Sequence, residues 1–174
     1  MPLGLADARW NELQSSYGDT ADIVAWLTEA LQEGSLSDAR LGDLINEVQH
    51  QGGTSTAMYA VATHLISLAG QAPPKTALAL LTHAGMIYAD SDRPGVVPCP
   101  AFLEEEFAAS ASLGARMLSS LLPFAVDFDE YKWAVAGLAG FMGHHTFARF
   151  LDGLDLYEGK FHHVLIGGPF PPET

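Results

Sequence analysis

The sequence contains a single cysteine, Cys99, and few basic residues. One cysteine excludes an internal disulfide and any zinc or iron–sulfur site built from several cysteines. Eight Lys and Arg stand against 21 Asp and Glu, so the formal net charge is −13. Such a charge repels nucleic-acid phosphates and anionic lipids. We therefore expect neither nucleic acid nor a membrane surface as a partner.

The sequence also lacks long apolar runs. The longest, 133–143, is far shorter than the roughly 20 residues that a membrane-spanning helix needs. The residues after Met1 show no basic segment followed by an apolar one, so we expect no signal peptide and a cytoplasmic protein. With 174 residues, 48% of them hydrophobic and 17% charged, the composition is that of one globular domain.

Apolar residues recur at spacings of three and four along most of the chain, which predicts about eight helices. The predicted helices are 5–17, one from residue 19 or 20 to 32, one starting at Ser35 or Ser37, one capped by Thr54, one from Pro73-Pro74 to 88, 101–122 with a bend or weak point near Gly114, one from Asp127 to 142, and 145–151. The helix ending at Met142 is apolar nearly all round, so we expect it to be the most buried element. Residues 157–166 are rich in β-forming side chains, which favours a short strand or hairpin before an extended end. We expect a helical domain over 1–153 and a C-terminal extension over 154–174.

A glycine-opened junction, His50-Gln51-Gly52-Gly53-Thr54, links the third and fourth predicted helices. A similar turn, Gly18-Asp19-Thr20, lies 34 residues earlier, a period typical of helical-hairpin repeats. The fold expected is therefore all-α, with antiparallel helix pairs stacked as a short α-solenoid.

Four short motifs resemble those of a bacterial HEAT-like helical-repeat family. They are Trp10-Asn-Glu-Leu13 with Tyr17-Gly18, then Asp22-Ile-Val-Ala-Trp-Leu27, then His50-Gln51-Gly52-Gly53-Thr54, and finally Gly143-His-His-Thr-Phe-Ala148-Arg-Phe-Leu151. Relatives often end with Cys-x-x-Cys, where this chain has His162-His163. The resemblance implies a binding module of the adaptor or immunity type, and it names no target.

Polar residues at the junction are the candidate partner-binding residues: His50, Gln51, Thr54 and Tyr59. On a concave face between helices they would contact a ligand. The alternative reading, which the sequence favours, is that they satisfy backbone groups between helix layers. His64 and His83 lie inside amphipathic helices, where a semi-buried imidazole with a hydrogen-bond partner is the usual outcome.

Histidines near the C-terminus are candidate zinc ligands: His144, His145, His162 and His163. Adjacent histidines rarely reach one metal, and residues 162 and 163 of a strand would point to opposite faces. A metal site is therefore not expected, and no cofactor is. Cys99 near a helix start is a candidate nucleophile, but no base can be placed beside it. Carboxylates at 104–106 are favoured in a helix's first turn by the helix dipole, which is a structural role.

These observations predict a non-enzymatic protein-binding module that presents an acidic groove between its helical repeats to another protein, possibly a basic one. The alternative from another class is a small metal- or histidine-dependent hydrolase centred on the C-terminal histidines. A homodimer formed through terminal aromatic residues such as Phe161 and Phe170 is a third possibility.

Overall fold

A computed structural model describes residues 2–50, 53–157 and 160–163 of the chain, with side chains described as far as residue 154. In this part of the chain the fold is all-α apart from one short β-hairpin, with two 3-10 turns, Ala8–Glu12 and Leu122–Phe124. The seven α-helices are α1 (Ala21–Glu33), α2 (Asp38–Val48), α3 (Ala57–Ala69), α4 (Pro74–Asp90), α5 (Ala101–Leu121), α6 (Phe128–Phe141) and α7 (His145–Asp152). None of these helices is long and apolar enough to cross a membrane.

Several helices begin at the capping residues that the sequence predicts. The Ser37 side chain accepts a hydrogen bond from a first-turn amide of α2. Asp127 accepts one from Glu130 N at the start of α6, and Glu130 in turn accepts one from Val126 N. Pro74 is the first residue of α4, where its missing N–H costs nothing. The predicted starts of α2, α4 and α6 are confirmed.

The first predicted helix is wrong, because only Ala8–Glu12 is helical there, as a 3-10 turn. The Thr20 hydroxyl donates to Trp10 O, and Ser16 N donates to Glu47 O. Backbone groups that a helix would pair locally are therefore bonded to distant residues. The described residues hold seven α-helices rather than about eight for this reason.

The junction before α3 also differs from the sequence prediction. Thr54 does not cap α3, which begins at Ala57. Its hydroxyl instead accepts a hydrogen bond from Val97 N at 3.4 Å, tying the junction to the loop between α4 and α5. Gly53 N donates to His50 O and closes the turn.

Helix α4 is the centre of the fold, and α3, α5, α6 and α7 all pack against it. Its contact with α6 brings the two backbones together through glycines. A Cβ atom on Gly140 would lie 3.0 Å from Gly85 C and closer still to Gly85 O. A Cβ atom on Gly137 would lie 2.8 Å from Thr82 O. Glycine is required at these two positions, because a Cβ atom would overlap the backbone of the facing helix.

Helix α5 runs unbroken through Gly114, where the sequence predicted a bend or a weak point. A Cβ atom there would lie 2.5 Å from the Phe141 ring of α6. The glycine therefore makes room for a neighbouring aromatic side chain.

The prediction that α6 is the most buried element is wrong. Trp133 is 38% exposed and Met142 59%, whereas nearly every residue of α3 and most of α4 are buried. The buried side of α6 consists mainly of alanine and glycine, with Phe141 and Lys132. Its large side chains, Phe141 excepted, lie at or near the surface.

A short antiparallel hairpin follows α7. Strand β1 (Leu154–Tyr157) pairs with β2 (Lys160–His163), with Leu154 opposite His163. The hairpin begins earlier than the predicted segment 157–166, and residues 164–174 lie outside the described part of the chain.

Candidate interaction surface

The candidate residue His50 belongs to a small exposed cluster. Its Nδ1 lies 2.7 Å from the Tyr17 hydroxyl and 2.8 Å from Asn46 Oδ1. Asn46 Nδ2 donates to the same hydroxyl at 3.1 Å, and the rings of Tyr17 and His50 are 5.0 Å apart. His50 thus joins the segment before α1, through Tyr17, to the end of α2. Gln51 lies outside the described residues.

The other two candidates at this junction hold the α4–α5 loop. The Tyr59 hydroxyl donates to Val97 O at 2.7 Å, and Thr54 accepts from Val97 N. The Tyr59 ring packs edge-on against Phe107, and the residue is only 2% exposed. Burial raises the pKa of Tyr59 to about 12. These side chains contact the interior and the loop, which leaves Tyr59 no exposed surface for a partner.

The two histidines expected inside helices are where the sequence placed them. His64 is buried, and its Nε2 lies 2.9 Å from Leu3 O. Burial lowers the pKa of His64 and of His83. His64 has the hydrogen-bond partner that the pattern predicted, but it is buried rather than semi-buried.

Polar side chains gather where α4 ends and α7 begins. Asp92 Oδ1 accepts from Arg149 Nη1 at 2.9 Å, and Asp92 Oδ2 lies 2.6 Å from His145 Nδ1. Burial alone would raise the pKa of Asp92, but the bonds from Arg149 and His145 outweigh it and lower that pKa. Arg149 Nη1 also donates to Ala89 O, the end of α4. The cluster fastens α7 to α4.

Two further carboxylates close to this cluster are only partly in contact with water. Asp90 accepts a hydrogen bond from Gln49 Nε2 at 3.0 Å. Burial raises the pKa of Asp90 and the pKa of Asp152. The charge of Asp90 raises the pKa of Asp152 further. Lys132 lowers the pKa of Asp152, and its buried ammonium donates to Leu154 O at 2.5 Å. These groups link α2, α4, α6 and the hairpin.

Of the four candidate zinc ligands, only His144 and His145 have side chains in the described part of the chain. His145 is engaged by Asp92, and His144 lies at the exposed start of α7. His162 and His163 lie on β2, where their side chains fall outside the described part. Over the described residues no group of three or more His, Cys, Asp or Glu is placed to hold a metal ion. The hydrolase alternative thus gains no support here, and elemental analysis of the purified protein is its test.

Cys99 is a poor nucleophile in this environment. Burial raises the pKa of its thiol to about 11, and the charge of Glu104 adds to the effect. A thiol with so high a pKa is almost entirely protonated near neutral pH. The start of α5 therefore does not activate it.

Helix α6 has one apolar side that the described chain leaves uncovered. We define the α6 outer face as Tyr131, Val135, Leu138 and Met142, which are spaced by four, three and four residues and so share one side of the helix. Tyr131 is 48% exposed, Met142 is 59% exposed, and the two residues between them are half-buried.

The other three sides of α6 are occupied by neighbouring helices. Gly137 and Gly140 face α4, and the Phe141 ring lies against Gly114 of α5. Ala136 and Ala139 form a small apolar cluster with Ala148 of α7 and with Met86 and Ala89 of α4. The α6 outer face is what remains, and it runs between α5 and α7.

Acidic side chains mark one end of this face. Asp127 lies four residues before Tyr131 and so continues the row, and Glu130 flanks it, whereas Asp129 lies on the opposite side of α6, 3.8 Å from Lys132 Nζ. None of the residues from 131 to 144 is acidic. The outer face is therefore acidic at one end and uncharged along its length.

Two clefts also lie on the surface of the described residues. A cleft of about 770 Å³ lies beside the first turn and the start of α1, with Asp7, Trp10 and Asp19 in its wall. A smaller one, of about 340 Å³, lies between α1 and α2 near Glu29 and Glu33. Both clefts are open, and their mixed linings do not single out a ligand.

Comparison with known proteins finds no matching family model, no matching curated protein and no matching solved structure. The sequence reasoning missed the α6 outer face, although the signal was present as large apolar residues at heptad-like spacing from Tyr131 to Met142. The expectation that this helix is the most buried element assigns these residues to the core instead.

Proposed function

We propose that the chain is a non-enzymatic, cytoplasmic protein-binding module, of the adaptor or immunity type, and that the α6 outer face is its docking surface. The observation that carries the proposal is that α6 is apolar nearly all round, while the described neighbours leave the Tyr131 and Met142 side chains of its outer face exposed. A helix that is hydrophobic all round is normally buried all round. Exposed apolar rows bordered by polar residues commonly mark protein-interaction sites.

Charge indicates the kind of partner. The chain carries −13, and Asp127 and Glu130 lie at the N-terminal end of the outer face. Complementary charge accelerates association and suppresses wrong partners. A basic protein suits this surface. We propose this face in place of the acidic groove that the sequence analysis expects between helical repeats.

We also propose that the helices are stacked as in a HEAT-like solenoid. The support is that α3 packs on α5 while α4 packs on α6, as equivalent helices of two successive pairs would.

The experiment is capture of binding proteins at low salt, with matched variants of the full chain. The double variant Tyr131→Ser/Met142→Ser removes the exposed part of the outer face. The control Leu31→Ser/Leu113→Ser removes side chains of similar exposure, 38% and 43%, on other helices. We expect a protein that is retained by the wild type and the control and is lost by the outer-face variant. Recovery of no protein, together with a small metabolite that raises the melting temperature, contradicts the proposal.

A further inference from the structure

We infer that the occupant of the α6 outer face is a basic amphipathic helix of another protein, which lies antiparallel to α6 with Lys or Arg in its C-terminal turn. This inference rests on the proposed function and adds the chemistry of the partner.

The spacing of the outer face selects a helix as the docking element. Residues at intervals of four, three and four form a straight apolar seam, which is the pattern that a second helix packs against. Helix α6 has 14 residues and is about 21 Å long at 1.5 Å per residue. A partner helix of similar length, with its own apolar residues at the same spacing, covers the seam between α5 and α7.

The position of the acids selects the charge and the direction of that helix. Asp127 and Glu130 stand at one end of the face only, so a basic group is favoured there and an uncharged segment is favoured beside Met142. Lys and Arg are most stable in the last turn of a helix, where they oppose the partial negative charge of the free carbonyls. A partner whose C-terminal turn lies over the acids satisfies both conditions, and this makes it antiparallel to α6.

A second copy of the chain fits this surface less well. Two copies would bring together two molecules of −13. Among the described α-helices only α7 has a basic residue in its last turn, Arg149, and that side chain already donates to Ala89 O and Asp92. The observations therefore favour a basic partner over self-association.

The test uses two synthetic helical peptides of 18 residues with the same composition. Both carry leucine at four seam positions; one has four Lys or Arg in its last turn, and the other has them in its first. Fluorescence anisotropy of each labelled peptide is measured with the full chain and with its variants. We expect the peptide with the basic C-terminal turn to bind at least about tenfold more tightly, a ratio that corresponds to about 1.4 kcal/mol.

Variants assign the binding to the outer face. Tyr131→Ser/Met142→Ser should weaken the tighter peptide by at least tenfold, whereas Leu31→Ser/Leu113→Ser should leave it unchanged. Asp127→Asn/Glu130→Gln should remove most of the preference between the two peptides, and asparagine keeps the oxygen that accepts the hydrogen bond from residue 130 N at the start of α6. Circular dichroism of each variant checks that the helices are intact.

Three results overturn the inference. One is equal affinity for the two peptides. Another is dimerisation of the full chain in sedimentation velocity that the outer-face variant abolishes, which makes a second copy the occupant. The third is a monomer that binds neither peptide, which is the result if residues 164–174 of the same chain cover the face. In each case, capture of a specific protein that depends on Tyr131 and Met142 would still support the proposed function, so the two failures can be told apart.

Discussion

Replacing Gly140 by alanine tests the backbone contact between α4 and α6 on which the position of α6 depends. The added Cβ atom would lie 3.0 Å from Gly85 C, 3.1 Å from Ala89 Cβ and still nearer to Gly85 O. The obstacle is mainly the backbone of α4, so no change of side-chain rotamer relieves it. The two helices would have to move apart, and the cluster that joins them to α7 would move with them.

The magnitude follows from two opposing effects. Overpacking a core typically costs about 1–3 kcal/mol, and a backbone obstacle belongs at the upper end of that range. Alanine within a helix recovers up to about 1 kcal/mol relative to glycine. We therefore expect Gly140→Ala to lower the free energy of unfolding by about 2 kcal/mol. For a chain of this size the melting temperature should fall by about 4–8 °C.

Urea denaturation followed by circular dichroism measures the effect, with Gly42→Ala as the matched control. Gly42 also lies within a helix, α2, but a Cβ atom there would meet nothing within 4 Å. The control should be more stable than the wild type by about 0.5–1 kcal/mol. If Gly140→Ala is as stable as Gly42→Ala, the close approach of α4 and α6 does not exist.

Three further predictions concern buried polar groups. Because burial lowers the pKa of His64 and His83, the unfolded chain binds protons that the folded one does not, so stability should fall as the pH drops below about 6.5. Urea denaturation at several pH values measures the free energy of unfolding, whose slope against pH should be at most about 1.4 kcal/mol per pH unit for each histidine. A free energy of unfolding that stays constant between pH 7 and 5 would exclude the effect. Burial raises the pKa of Asp152, so its contribution to stability is present at low pH and is lost as the pH rises through the folded pKa. Asp152→Asn should therefore raise the melting temperature at pH 7. A lower melting temperature would show that the carboxylate is needed. Tyr59→Phe leaves Val97 O without its hydroxyl donor and should cost about 1–2 kcal/mol without changing peptide binding, whereas a loss of binding would place Tyr59 in the docking surface.

Most of the helical structure could be predicted from local patterns. Capping residues such as Ser37 and Asp127 act within one turn, and Pro74 restricts its own backbone, so a sequence reading can place the starts of these helices. The segment around Trp10 could not be predicted in the same way. Its spacing suits a helix, but Trp10 O is bonded to Thr20, and this partner is decided by the tertiary fold.

The candidate surface was harder to predict for a physical reason. Hydropathy shows that a side chain is apolar, but it does not show which sides of a helix its neighbours will cover. In α6 the glycines and alanines pack closely because they are small, and the larger Tyr131 and Met142 are left outside. A row of large apolar residues opposite a row of small ones was therefore the available signal.

The contacts of His50 show a similar limit. Asn46 lies four residues earlier on α2, so that contact could be inferred from helical spacing. Tyr17 lies 33 residues away and reaches His50 only because the chain folds back on itself.

The central claim is that the α6 outer face binds another polypeptide, and site-specific photo-cross-linking tests it most directly. A benzophenone side chain would replace Tyr131 in the full chain, and a second variant would carry it at Tyr17, which is 58% exposed on a different part of the surface. Both would be irradiated in an extract of the cells that naturally produce the protein. We expect a discrete adduct with a protein partner from position 131 and none from position 17. No adduct from position 131, or the same adducts from both positions, would contradict the claim.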